Sequence, residues 1–258
     1  MTSTTLNLTT VQTLIRWRHA EPHPILATTP TWHDEDAKAA LDRHAFGELE
    51  QNRCLRRGRT DEDLDGAVDA LVRPDREFYG WVTTAVDGRP FQYGVLAIAA
   101  HREAVLVVRN HETDAVVLAT CRPDELLGRF LGVLPAVAPA SAPRVSTPYE
   151  DYVAATEPGG DAFTGFGTLR SPEERAIDAV LSERRTGGGS LYVAGRASSH
   201  GPRRRCEQPV NYLDTATGRW LVSLDNTANG MFATLCPAGL ELLATRLTDT
   251  ERRLSRTG

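Results

Sequence analysis

The chain is 258 residues long, 41% hydrophobic and 24% charged, with a formal net charge of −5. A chain of this size and composition can bury a core without a metal or disulfide to hold it, which excludes collagen-like and broadly disordered classes. The acidic balance excludes a whole-molecule footprint for nucleic acid or anionic lipid, and no run of about 18 apolar residues offers a membrane span.

In chain order, residues 6–17 are amphipathic through Leu8, Val11, Leu14 and Ile15, predicting a helix that stops before Pro22 and Pro24. From Asp34, one face collects Ala37, Ala40, Leu41, Ala45 and Leu49 opposite acids and arginines, the pattern of an exposed amphipathic helix. Thr60-Asp61-Glu62-Asp63 reads as an N-cap with acids in the first turn of a helix through Leu64, Val68, Leu71 and Val72. After Pro74 the period changes. Residues 78–86, 89–99, 104–108 and 115–120 read as four strands, and their short connections make neighbours antiparallel. Pro123 opens a helix through Leu126, Phe130 and Leu134, and residues 135–148, with four prolines, read as a linker.

The second half repeats the plan. A short helix is expected over 149–155 and a glycine-containing loop over 158–167. Ser171-Pro172-Glu173-Glu174 is a helix start, with Ile177, Val180 and Leu181 as the apolar face and Gly187-Gly188-Gly189 as the stop. Strands are expected at 191–197, 208–213, 219–224 and 231–235, and Pro237 opens a last helix through Leu240, Leu243, Leu247 and Leu254. Sliding the first half by 115 residues aligns Val95 with Val210, Leu106 with Leu221, Val107 with Val222 and Cys121 with Cys236. The shared order of elements, more than these identities, predicts an α+β molecule of two pseudo-symmetric halves, 1–138 and 139–258, in one compact unit.

The chemistry-bearing motifs are mostly missing. No G-x-S-x-G elbow occurs, and a phosphate loop ending in Gly-Lys is impossible because the only lysine is Lys38, a bias that points to a GC-rich genome. Gly165-Phe166-Gly167 begins like a dinucleotide turn, but Arg170 stands where the third glycine belongs. His111-Glu112 is not followed by the second histidine of a zinc helix. Asp61, Asp63, Asp65 and Gly66 match the opening of a calcium loop, yet Val72 occupies the twelfth position, where a bidentate Glu is required. His19 and His23 flank Pro22, which breaks the helix that would aim both at one metal. Cys54, Cys121, Cys206 and Cys236 have no close spacing and read as buried small hydrophobes in a reducing compartment. Residues 1–10 lack the charge and cleavage pattern of a secretory signal. The expectation is a cytoplasmic protein that is not an enzyme and uses no cofactor or metal. Arg203-Arg204-Arg205, after Gly201-Pro202, forms a positive tip that reads either as a solvated turn or as a protein-contact patch.

The run from Arg204-Arg205 through Pro209-Val210 and Asp214-Thr215 to Gly218-Arg219-Trp220 resembles the C-terminal signature of the EspG family. Residues 63–77, with Leu71, Arg73-Pro74 and Glu77, resemble that family's helix-to-strand junction, and 231–247 sit where its last elements do. Asn211 and Tyr212 depart from the commoner pattern, and 158–167 is individual, which leaves partner identity open. The resemblance implies a cytosolic chaperone of type VII (ESX) secretion. Such a chaperone binds the apolar tip of a helical-hairpin secreted protein, PE/PPE-like or WXG-like, and keeps it soluble. It also implies two related halves with a central antiparallel sheet flanked by helical bundles. No nucleic acid or membrane partner is expected. The expected partner-binding residues are Arg204, Arg205, Asn211, Arg219 and Trp220, although strand alternation prevents all five from sharing a face. Trp220 reads equally as core and Arg219 as a turn former. The alternative reading is a non-catalytic regulatory adaptor or small-ligand-binding module.

Overall fold

The computed structural model describes residues 3–56, 58–156, 172–196, 201–228 and 230–256. A first strand, β1 (Ser3–Asn7), leads directly into α1 (Leu8–Trp17), and Asn7 divides them, its Oδ1 accepting the Thr9 N–H as N-cap. Then come α2 (Glu35–Gln51), a small hairpin of β2 (Leu55–Arg56) and β3 (Arg59–Thr60), and α3 (Glu62–Val72). The N-cap of α3 is Asp61, not Thr60. The meander follows as β4 (Arg76–Val86), β5 (Arg89–Ala100), β6 (Glu103–Asn110) and β7 (Ala115–Cys121). Its first turn, Asp87-Gly88, has both φ angles positive, 51° and 76°, the conformation that matches the twist of flanking strands.

A turn of 3₁₀-helix runs into α4 (Leu126–Gly132), followed by β8 (Val145–Pro148), α5 (Tyr149–Thr156) and α6 (Pro172–Ser182). The closing elements are β9 (Arg185–Gly195), β10 (Arg204–Arg205), β11 (Val210–Thr215), β12 (Gly218–Thr227), β13 (Gly230–Pro237) and α7 (Leu240–Arg256).

One antiparallel sheet gathers nearly every strand in the order β1-β7-β6-β5-β4-β9-β11-β12-β13-β8, with β10 added on β9. The architecture is therefore mixed α+β, with β4 and β9 paired at the middle. Each side of that junction is a run of chain-adjacent antiparallel strands, ended by a strand from earlier in the chain, β1 or β8.

Two expectations need correction. The proline-rich 135–148 is not all linker: β8 pairs β13 as an edge strand, where its terminal Pro148 needs no ladder donor. Gly187-Gly188-Gly189 does not end α6 but lies inside β9. A Cβ on Gly187 would stand 2.6 Å from the Thr83 carbonyl oxygen, and one on Gly189 would stand 2.7 Å from the Tyr212 ring. These positions are bare because neighbouring strands and a ring already fill the space. The Ser171 cap, the 158–167 loop and the Gly165–Arg170 motif lie outside the described residues.

The sheet is covered unequally. On one face α1, α2 and α3 bury Leu14, Leu49 and Val68 against Leu96, Val105 and Val116, and α6 buries Ile177 and Val180 against Trp220 and Leu235. On the other, α4 and α7 bury Phe130, Leu243 and Leu247 against Phe78, Val95 and Tyr212. Burial of side chains this large contributes about 1.5–3 kcal/mol each. Among the described helices, α6 lies at the far side of the first face, and none of them covers the middle of that face.

Candidate functional site

The open band runs across β4, β9 and β11. Register puts Tyr79 beside Tyr192, and the next row on the same face is Trp81, Ser190, Asn211 and Val222. The Tyr79 and Tyr192 rings stack with centroids 5.2 Å apart, and Trp81 meets each edge-on at 5.9 and 5.8 Å. Trp81 remains 38% exposed. Ser190 Oγ donates to Asn211 Oδ1 at 2.7 Å, so the row pairs an aromatic with a polar contact point. The cleft has a volume of about 740 Å³, with Trp81, Ser190, Asn211 and Leu213 on its floor and Leu181 and Arg184 at the α6 end. It is lined by apolar bodies with polar tips, the composition of a protein-contact surface.

The arginines at the end of the band divide by strand alternation. Arg205 pairs opposite Ala194, on the aromatic face, and its guanidinium lies 5.3 Å from the Tyr192 ring centre. Arg204 pairs opposite Gly195 and lines the cleft beside α7 on the other face. Arg203 is not a solvated tip. It donates twice to Glu77, both bonds at 2.7 Å, and Glu77 is fully buried.

His23 completes this cluster. Its Nδ1 accepts the Ile25 N–H at 3.2 Å, which leaves the proton on Nε2, 3.3 Å from Glu77 Oε2. Burial lowers the His23 pKa below its ordinary value, and the bond to Glu77 only partly offsets this. For Glu77, burial pushes upward, but the bonds from His23 and Arg203 outweigh it and hold the carboxyl below its usual range. The His23 ring stands edge-on to Tyr79 at 4.6 Å, so the cluster supports the aromatic strip. Sequence reading missed the ion pair because 126 residues separate its partners.

Arg219 and Trp220 are fully buried. Arg219 donates to both oxygens of Asp214, at 2.6 and 2.8 Å, and to the Pro135 carbonyl at 2.9 Å, with its guanidinium 4.4 Å from the Tyr212 ring centre. Asp214 and Arg219 are cross-strand partners flanking the turn between β11 and β12. At Gly218 φ is +131°, and a Cβ there would meet Ala140 at 2.6 Å. Trp220 packs under α6. The signature stretch 214–220 therefore builds a hairpin and its support. Of the five expected binding residues, the structure brings Arg205 and Asn211 to the aromatic face, turns Arg204 away, and closes Arg219 and Trp220 inside.

The candidate calcium residues are engaged in folding. Asp61 caps α3, and Asp65 accepts from Arg18 at 2.6 Å and from Thr60 Oγ1. Cys54 and Cys206 are buried and Cys121 and Cys236 partly so; all four are free thiols, and burial pushes those of Cys121 and Cys206 up.

The model of the EspG family matches residues 8–249. A chain in the solved structure of the Mycobacterium tuberculosis type VII secretion system chaperone EspG5 in complex with the PE25-PPE41 dimer shares the fold, with a TM-score of 0.66 at 16% identity, covering 96% of each chain. No curated protein matches the chain.

Proposed function

The chain belongs to the EspG family, and on that premise we propose that it is a cytoplasmic chaperone of a type VII secretion system, holding the apolar tip of a PE/PPE-like helical pair. The reading treats 1–138 and 139–258 as related halves that meet at β4 and β9 and carry their helices as flanking bundles. It is supported by the strand order on either side of that junction and by the equal register of two hairpins. Ala97 opposite Leu106 becomes Tyr212 opposite Leu221 when both numbers rise by 115.

The observation that carries the proposal is the cleft at the junction, where Trp81 is exposed beside Asn211 and rests on the more buried Tyr79 and Tyr192. A helical tip laid on this band would bury apolar surface against Trp81 and Tyr192, while Asn211, Ser190 and Arg205 meet its polar groups and set orientation. Arg219 and Trp220 act one layer below, by holding β12 in place. No covalent step is needed. Co-expression with a PE–PPE helical pair and size-exclusion chromatography tests the reading: a single co-eluting complex is expected. An aggregated or separately eluting pair, with a tightly held metabolite on the chain instead, would favour a small-ligand module.

A further inference from the structure

Turning Arg204 away from the aromatic band places it in a second surface. Between β10–β11 and α7 runs a cleft of about 460 Å³, where Arg204 and Arg253 meet a single acid, Glu207. A second cleft of about 440 Å³ continues it, sharing Gln208, Thr250 and Arg253 and adding Arg246. Its floor is apolar, with Val210 and Leu221, and its one acid, Asp225, already accepts from Thr234 Oγ1 at 3.2 Å. The trough thus sets three arginines, Arg204, Arg246 and Arg253, against two acids on a chain whose net charge is −5.

We propose that this trough binds an extended acidic segment of a partner protein, with carboxylates at Arg204 and Arg253 and an apolar side chain on Val210 and Leu221. Guanidinium forks match carboxylates two bonds at a time, and an apolar floor beside them selects a peptide over a bare anion. Arg246 and Arg253 stand seven residues apart on α7, two turns of one helix face, so the charges line up along the trough. The site lies across the sheet from the aromatic band and stands independently of what that band takes.

The test is a fluorescence-anisotropy titration of the full chain with a labelled ten-residue peptide of alternating Glu and Leu. Its comparators are the same peptide with Gln for Glu and a ten-nucleotide oligothymidylate. Saturable binding of the acidic peptide is expected, at least about tenfold tighter than either comparator, falling steeply with salt. It should weaken at least about tenfold in R246E/R253E. If that variant melts early, Arg246→Gln with Arg253→Gln supplies the same readout. Equal binding of the glutamine peptide, equal or tighter binding of the oligonucleotide, or undiminished binding by the folded variant would overturn the proposal.

Discussion

Tyr79 and Tyr192 stack across the central strand junction, 5.2 Å between ring centres and 13° from parallel, and their edges hold Trp81 out toward solvent. Two of the three rings are thus fixed by their neighbours before any partner arrives, which lowers the ordering cost of binding. Trp81→Ala should weaken capture of a helical client at least about tenfold while changing unfolding free energy by less than about 1 kcal/mol. Titration calorimetry with urea denaturation reads both. Unchanged affinity would remove the aromatic band from the interface.

The three consecutive arginines should separate by function. Arg203→Glu sets a second acid against buried Glu77 and should cost about 3 kcal/mol or more in unfolding free energy. Arg205→Glu, exposed over Tyr192, should leave stability within about 0.5 kcal/mol and weaken client capture. Equal behaviour of the two variants in denaturation and capture would contradict this division.

Arg219→Met removes the cation from an Asp214 pair whose side chains are 0% and 2% exposed. The remaining carboxylate is left uncompensated in the core, so unfolding free energy should fall by about 3–5 kcal/mol. Urea denaturation checks this, and a loss below about 1 kcal/mol would show the pair to be dispensable.

The buried His23 gives stability a pH dependence. Its folded pKa lies below the 6.5 of a free imidazole, so the unfolded chain binds more protons at mildly acid pH. The contribution is fully present above 6.5 and is lost as pH falls through the folded value. Glu77, also depressed, adds a further loss below 4.5. Thermal melts should therefore drop between pH 7 and pH 5 in the wild type and less in His23→Gln. Arg203→Ala removes a cation that lowers His23, so its imidazole should titrate at higher pH by NMR. Parallel melts for wild type and His23→Gln would contradict the assignment.

Gly187→Ala places a methyl 2.6 Å from the Thr83 carbonyl oxygen, a backbone atom that cannot swing aside. The expected cost is about 1–3 kcal/mol by chemical denaturation. An unchanged midpoint would mean that β4 and β9 part easily.

Local pattern made much of this fold legible. The meander of β4 to β7 shows in its β-branched runs and two-residue turn, and α3 shows in its acidic first turn and apolar stripe. What escaped depends on distant partners. β1 has only five residues and is a strand because β7 offers it an edge, while the triple glycine looks like a stop until Thr83 and Tyr212 are seen against it. The site was half legible for the same reason. Arg205 and Asn211 could be named from a motif, but Trp81 and Tyr192 lie 111 residues apart in the chain, and their meeting is a property of sheet order. The signature also holds Arg219 and Trp220, both closed inside the fold, because a sequence motif marks a demanding hairpin as readily as a contact.

Replacing Trp81 with the photo-crosslinking residue benzoylphenylalanine, and Arg252 on the exposed side of α7 as a control, addresses the interface directly. Irradiation with a PE–PPE helical pair should yield a covalent adduct from position 81 and none from position 252. Adducts from position 252 alone would place the client on the opposite side of the molecule and contradict the account.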